Sequence, residues 1–342
     1  MTVNAIRSLS HRLHTGQAGF DFVGRRALWY GMSAVILLVA ICGITFRGVH
    51  LGTEFKGGQV YTVSSTQHID LDSTKNLITQ VTGDRSAIVQ ATGNGQTRIQ
   101  VSADYHAEPA KVVTALAKDL KVPQKDISAQ VVGPSWGKEI THKAMLGLVI
   151  FMVLVTVYLA IAFEWRMALA ALIALFHDLL ITIGVYAILG FEVTPGTVIG
   201  FLTILGFSLY DTVVIFDGVK DSTKNLLRQD RLNYSQAANR ALNATLIRSL
   251  NTTVLALLPV AALLFIGGGF LGAGTLNDIS LALFVGLAAG AYSSICVATP
   301  ILAQLKERQP EYRRLADRVA ATKENPDGAH DTEKAGRVSD LV

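Results

Sequence analysis

The sequence predicts an α-helical polytopic membrane protein. Six transmembrane helices are expected, with a small α+β, ferredoxin-like extracytoplasmic domain between helices one and two. Three observations predict it. Of 342 residues, 50% are hydrophobic and only 16% are charged, against roughly 25% charged in soluble domains. The apolar residues gather in six blocks, each near the ~20 residues a helix needs to cross a bilayer. The polar segment between the first two blocks runs through strand-like and helix-like patterns in the order βαββαβ, the signature of a split βαβ unit.

The first block, residues 27–46, reads ALWYGMSAVILLVAICGITF. It exceeds the roughly 7–15 residues of a signal h-region and no small-x-small cleavage site follows, so it is expected to be a retained span. The others lie at 143–163, 167–189, 197–217, about 246–267 and about 276–305. The expected organisation is an N-terminus at 1–26, helix one at 27–46, the outer domain at 47–142 and a five-helix bundle at 143–305. The bundle carries an inner, amphipathic cationic loop at 218–248, expected to lie as one or two helices on the inner leaflet, and a largely disordered tail occupies 306–342. Charge sets the orientation. Arg7, Arg12, Arg25 and Arg26 precede helix one, and Lys220, Lys224, Arg228, Arg231, Arg240 and Arg248 line the long loop. Lys306, Arg308, Arg313 and Arg314 open the tail, whereas the short segments 190–195 and 268–275 contain neither Lys nor Arg. The positive-inside rule then places both termini in the cytoplasm and the chain in the cell membrane. Trp29, Tyr30 and Trp165 fall near the expected inner boundaries, where an aromatic belt would sit.

Within the outer segment, strands are expected at 60–64, 87–91, 98–103 and 127–132, and helices at 71–81 and 108–120. Gly93-Asn94-Gly95 marks the turn between the middle strands. The segment has no metal-ligand spacing, nucleophile elbow or phosphate loop. A binding or docking module fits it better than an enzyme. Cys42 and Cys296 both lie in apolar blocks, which excludes an extracytoplasmic disulfide and CxxC chemistry. The sequons at Asn233, Asn243 and Asn251 fall on the inner side, so glycosylation is not expected. Neither a metal nor an organic cofactor is expected, nor a nucleic-acid partner; lipid surrounds the spans.

The fourth block ends SLYDTVVIFD and contains a carboxylate, Asp211. An ionisable group at bilayer depth costs roughly 2.5–3.5 kcal/mol on insertion scales. At 1.5 Å of rise per residue, Asp211 lies about 9 Å from the inner end of its block and about 21 Å from the outer end, too deep for a short side chain to reach water. It is either a proton site or a buried acid satisfied by hydroxyls such as Ser208 and Thr212. His177 and Asp178, about 16 Å into the third block, suit a structural bridge between helices or a proton relay. Arg248 opens the fifth block and could reach Asp211, although side chains lean toward a helix N-terminus and would tilt the two apart. A carboxylate that alternates between a guanidinium neighbour and apolar surroundings would load and release a proton. Gly286 and Gly290 form a GxxxG in the sixth block, and Gly200 and Gly206 offer similar close approach in the fourth.

Several separated motifs are similar to those of the SecF family of protein-export membrane proteins. They are SLYDTVVIFD before the basic loop, LGTEFKGGQ after span one, FHD in span three, ALNATLIRSLNTT at the entry to span five, and GAYSSICVATPIL in span six. Glu54, Ala291 and Gly218 depart from the family pattern. The resemblance covers nearly all of 25–305 and implies half of a resistance-nodulation-division fold. It implies SecD as partner and association with the SecYEG channel. It also implies proton-motive-force-driven help in late translocation of unfolded exported polypeptide, without enzymatic chemistry. Asp211 would accept the proton and Arg248 would tune it, while Phe55, Gly57 and Gly58 would form the turn into the outer domain. The competing expectation is a proton-driven small-molecule or lipid transporter subunit of the same superfamily.

Overall fold

The computed structural model describes residues 19–65, 69–85, 87–91, 95–105, 107–268 and 274–324. Six of its helices are long and apolar enough to cross a membrane among these residues. The first is α1 (Arg26–Arg47), whose chain exits through Gly48 at φ 75°. A short β1 (His50–Leu51) and a one-turn helix α2 (Thr53–Lys56) lead to β2 (Gly58–Ser64). Next come α3 (Leu71–Thr82), β3 (Ile88–Ala91), β4 (Gln96–Ser102), α4 (Pro109–Asp119) and β5 (Ile127–Val132). These form a four-stranded antiparallel sheet in the order β3-β4-β2-β5. Each pair of β-α-β strands brackets an inserted strand, as a split βαβ unit requires. Asp70 caps α3 by accepting from the Asp72 amide, and Gly83 ends that helix in the left-handed region at φ 81°. Tyr61, Val63, Ile99 and Val101 from the sheet bury against Ile78 of α3 and Val112 and Leu116 of α4. The sheet face is apolar at every second residue, so one face meets the helices. The strands and helices follow the expected order. Residues 93–94 of the expected turn lie outside the described set.

The domain is shorter than the sequence boundaries 47–142 suggested. After β5 the chain enters α5 (Pro134–Ala162) at once, with Pro134 at its start. Proline suits a first helical turn, where its missing N–H has no partner to lose, so the helix begins well before the apolar block at 143. The bundle continues with α6 (Trp165–Leu189), β6 (Glu192–Val193), α7 (Pro195–Thr223) and α8 (Tyr234–Ala262), which leads into a wider π turn, Leu263–Gly268. The last span runs from α9 (Gly274–Ser293) through a second π turn (Ser294–Ala298) into α10 (Thr299–Glu307). Small residues bring its helices together. A Cβ on Gly286 would lie 2.2 Å from Ile204, and one on Gly290 would lie 3.0 Å from the Ser208 Cβ, so the GxxxG seats α9 on α7. Gly200 meets Ala282 in the same way, but Gly206 faces open space and packs against nothing. The α6, α7 and last-span helices form the centre, with α1, α5 and α8 more exposed around them.

Two further expectations are corrected at the end opposite the small domain. Residues 218–248 are largely helical, as expected, but not as separate helices lying on the membrane surface. Helix α7 continues to Thr223, and α8 starts at Tyr234 with an Asn233–Gln236 capping box, leaving only a short connection. Capping satisfies the first amides of a helix and lets a polar stretch extend it beyond the bilayer. The tail is likewise structured as far as the description extends. Helix α11 (Pro310–Glu324) buries Leu315 and Val319 in the bundle core, and residues 325–342 lie outside the described set. The Lys306 ammonium, 4% exposed, pairs with Glu164. At the other terminus, residues 1–18 with Arg7 and Arg12 are outside the description. The following arm is fastened to α8. Asn239 and Asn243 accept from the amides of Phe22 and Phe20 at 2.9 and 3.0 Å, and both side-chain amides donate back to the Phe20 carbonyl. Trp29 stacks on Phe22 at 5.7 Å and so packs inward, whereas Trp165 is exposed at the start of α6.

Candidate functional site

The buried face of α7 carries Ser208, Asp211, Thr212 and Ile215, spaced three and four apart so that they line one side of the helix. That side points into the bundle centre, where Asp211 is 5% exposed. Its hydrogen-bond donor is Ser249 of α8, whose hydroxyl lies 2.6 Å from both carboxylate oxygens. Ser294, in the π turn of the last span, is a second hydroxyl neighbour. It also shares a 2.9 Å hydrogen bond with Thr212. The two hydroxyls expected to satisfy Asp211 serve other partners instead. Thr212 pairs with Ser294, and Ser208 donates to Asp178 Oδ2 at 2.6 Å.

Asp178 is fully buried on α6, one turn of α7 away from Asp211 through Ser208. His177 Nδ1 sits 3.3 Å from Asp178 Oδ1, and the ring stacks on Tyr292 at 6.0 Å. Its Nε2 is buried without a hydrogen-bond partner among the described residues. Tyr292 shares a 2.9 Å bond with Ser33 of α1. Two polar groups, one around Asp178 and one around Asp211, thus lie one turn of α7 apart, with partners drawn from α1, α6, α8 and the last span.

Arg248 is on the other side of α8. Its side chain is exposed, and no ion pair joins it to Asp211 among the described residues. It lies in the middle of the 29-residue α8, where the polar first half of the helix gives way to the apolar second half. The helical stripe Leu242, Leu246, Ser249 and Thr253 is buried, and Arg248, 100° around the helix from Ser249, must face out. The expected approach of the arginine to Asp211 is thus absent in this conformation, as its backward lean anticipated. Ser249 was missed in the sequence. The signal for it was available in that stripe, since the residue following the arginine holds the inward position.

Phe55, Gly57 and Gly58 occupy the junction between the small domain and the bundle. Phe55 is buried against Tyr186, Val193, Phe201, Ile204 and Ala282. Gly57 and Gly58 have φ of 77° and 136°, and a Cβ on Gly58 would lie 2.3 Å from the Val101 carbonyl oxygen. Only glycine adopts such backbone freely and admits so close a strand. The strands β1 and β6 pair in parallel, His50 with Glu192 and Leu51 with Val193, which ties the entry of the domain to the α6–α7 connection.

The comparisons with known proteins agree with this architecture. The family model of the protein export membrane protein SecD/SecF, C-terminal, matches residues 112–308. A Streptomyces coelicolor protein translocase subunit SecF is 55% identical over 319 residues, covering 93% of this chain and 85% of that protein. A Mycobacterium tuberculosis protein translocase subunit SecF is 40% identical over 341 residues, covering 96% of this chain and 77% of that protein. The crystal structure of SecDF, a translocon-associated membrane protein from Thermus thermophilus, superposes with a TM-score of 0.75 at 26% identity. It covers 86% of this chain, which spans 39% of that longer chain. With the family model and relatives of this identity matching along most of its length, the chain belongs to the SecD/SecF family of protein-export membrane proteins.

Proposed function

We propose that this chain is an accessory subunit of the Sec protein-export translocase that works with SecD at the SecYEG channel. It uses proton-motive force to promote late translocation of unfolded polypeptide across the cell membrane. The observation that carries the proton step is Asp211, a carboxylate buried at bilayer depth whose close neighbours are hydroxyls rather than a cation. An ionised carboxylate buried without a counter-charge costs several kcal/mol, so a proton is the natural neutralising partner. The Ser249 hydroxyl can donate to the ionised form and accept from the protonated one, which lets the site hold both states in place.

SecD as partner is supported by the Thermus thermophilus relative named SecDF, of which this chain covers 39%. Arg248 adds a physical reason. It is exposed on α8 next to Ser249, the partner of Asp211, and holding a guanidinium against lipid carries a cost. A second protein half, or water held by one, over that face removes the cost and brings the guanidinium within reach of the pathway. The end opposite the small domain carries Lys220, Lys224, Arg228, Arg231, Arg313, Arg314 and Arg318, and the positive-inside rule supports both termini being cytoplasmic. No covalent chemistry is needed.

The test is secretion of a reporter in cells whose only copy carries Asp211→Asn, with assembly of the complex checked by co-purification. Secretion is expected to fall to the level of a strain lacking the subunit. Normal secretion with normal assembly overturns the proton role of Asp211.

A further inference from the structure

The junction between the small domain and the bundle holds a second buried group of charges, remote from Asp211. Arg98 of β4 lies 3.6 Å from Glu54 Oε1 of α2 and 3.9 Å from Glu192 Oε2 of β6. Gln100, the next inward residue of β4, donates to Glu192 Oε1. Asp278 at the start of the last span faces Arg98, Glu54 and Glu192, with Thr194 as its hydroxyl partner, and His50 of β1 faces Glu192. Three carboxylates thus surround one guanidinium and one imidazole, drawn from α2, β1, β4, β6 and α9. Among the described residues they are not arranged as a metal site.

The group is incompletely satisfied. Glu192 is only 6% exposed, and its Oε2 has no hydrogen-bond partner; nor do Glu54 Oε2, Arg98 Nε, His50 Nδ1 and the Thr53 hydroxyl, all buried. Most buried polar atoms in folded proteins find a partner in the protein or in ordered water, so five that find none among the described residues mark a polar seam that water can enter as it opens. The seam is also loosely filled on its apolar side. Phe55 borders a crevice of about 180 Å³ with Leu51, Leu179, Ile183, Val193 and Phe201, which leaves room for the wedge to withdraw.

We propose that this cluster is a protonation-controlled latch: a proton on the Glu192 carboxyl holds the small domain against the bundle, and its loss releases the domain. The sign follows from the charges. With all three carboxylates ionised, two negative charges remain uncompensated by Arg98, and like charges held together in a buried seam repel. One proton removes half of that excess. Burial raises the Glu192 carboxyl above its usual 4.5, opposed by the hydrogen bond from Gln100 and by Arg98. A group whose value is raised in the docked state contributes docking that is fully present below 4.5 and is lost as pH rises through the docked value. The latch therefore closes on the acidic side and opens toward neutrality. It stands on the geometry of the seam and does not depend on the role of Asp211.

The full chain reconstituted in lipid nanodiscs tests it. Spin labels go on Lys111→Cys of α4 and Leu189→Cys of α6, both exposed, with Cys42 and Cys296 replaced by alanine. Electron–electron distance distributions are recorded from pH 4.5 to 8. One linked proton changes the ratio of docked to released domain by up to about tenfold per pH unit. A released, longer-distance population is expected to grow toward pH 8, and Glu192→Gln is expected to suppress it at every pH. Glu54→Gln, which also lowers the negative excess, is expected to weaken the response and serves if the first variant fails to fold. Superimposable distributions across the range overturn the latch, as does an undiminished pH response in folded Glu192→Gln or Glu54→Gln.

Discussion

Asp211 and Ser249 form one of the two closest contacts in the polar band, the other being Ser208 with Asp178, and they set the energetics of that site residue by residue. The single Ser249 hydroxyl, 2.6 Å from both carboxylate oxygens, donates one hydrogen bond shared between them, which is charge-assisted while Asp211 is ionised. Arg248, the neighbour of Ser249 in sequence, shares no partner with Asp211 in this conformation. The two neighbours of Asp211 should therefore behave differently in double-mutant cycles. Asp211→Asn combined with Ser249→Ala is expected to depart from additivity in stability by about 0.5–3 kcal/mol, whereas with Arg248→Gln it should stay within about 0.3–0.5 kcal/mol. Thermal unfolding of the purified variants in one detergent reads both couplings. A larger coupling to Arg248 than to Ser249 would mean that the arginine is the working partner in the resting protein.

Among elements, the contact between α7 and α9 decides whether this band exists at all. Lipid gives helices no hydrophobic reason to associate, so close packing of small residues must hold them. Gly286 and Gly290 supply it against Ile204 and Ser208. Gly286→Leu forces side-chain atoms into Ile204 and is expected to destabilise the protein by about 1–3 kcal/mol. Gly206→Ala meets nothing within 4 Å and is expected to be neutral or to stabilise by up to about 1 kcal/mol through helix propensity. Melting temperatures of the two variants measured side by side test the assignment; equal losses would show that the GxxxG is not the contact. The π turn Ser294–Ala298 has a similar local role, because its wider winding sets Ser294 beside Thr212 and Asp211. Single π turns recur at functional sites in helices, and no sequence pattern in SSICVA announced this one.

Across the whole molecule, the cations at the end away from the small domain give an orientation that can be checked directly. Lys224→Cys at that end and Lys111→Cys on α4 are both exposed. In intact cells, a membrane-impermeant maleimide is expected to label the α4 position and to reach the other only after permeabilisation. The reverse pattern would invert the topology. The same global view explains how the small domain is held. Its entry is fixed through the β1–β6 pair and the Phe55 wedge as well as by its chain connections, so motion of the domain must disturb the seam where Glu192 lies.

The six spans, the βαββαβ order and the place of Asp211 within an apolar span were legible in the sequence, because each depends on local period and on the length of apolar runs. A stretch of about 20 apolar residues leaves little choice in a bilayer, and alternation along a strand reports which face is buried. That the helices expected within 218–248 are extensions of α7 and α8, and that Pro310–Glu324 is a helix, were not. Their residues are polar enough for loops, and they are helical because capping and docking onto the bundle stabilise them. The partners of Asp211 were also beyond local reading. Ser208, Thr212, Ser249 and Ser294 were all plausible donors by type, and the rotation of each helix about its axis chose among them. So the sequence by itself determined which segments enter the membrane and that one carries a carboxylate. Only the tertiary structure decided what that carboxylate meets, and it alone brought Glu54, Arg98, Glu192 and Asp278 together. Contacts between residues far apart in the chain depend on the packing angles and registers of whole elements, which no local pattern encodes.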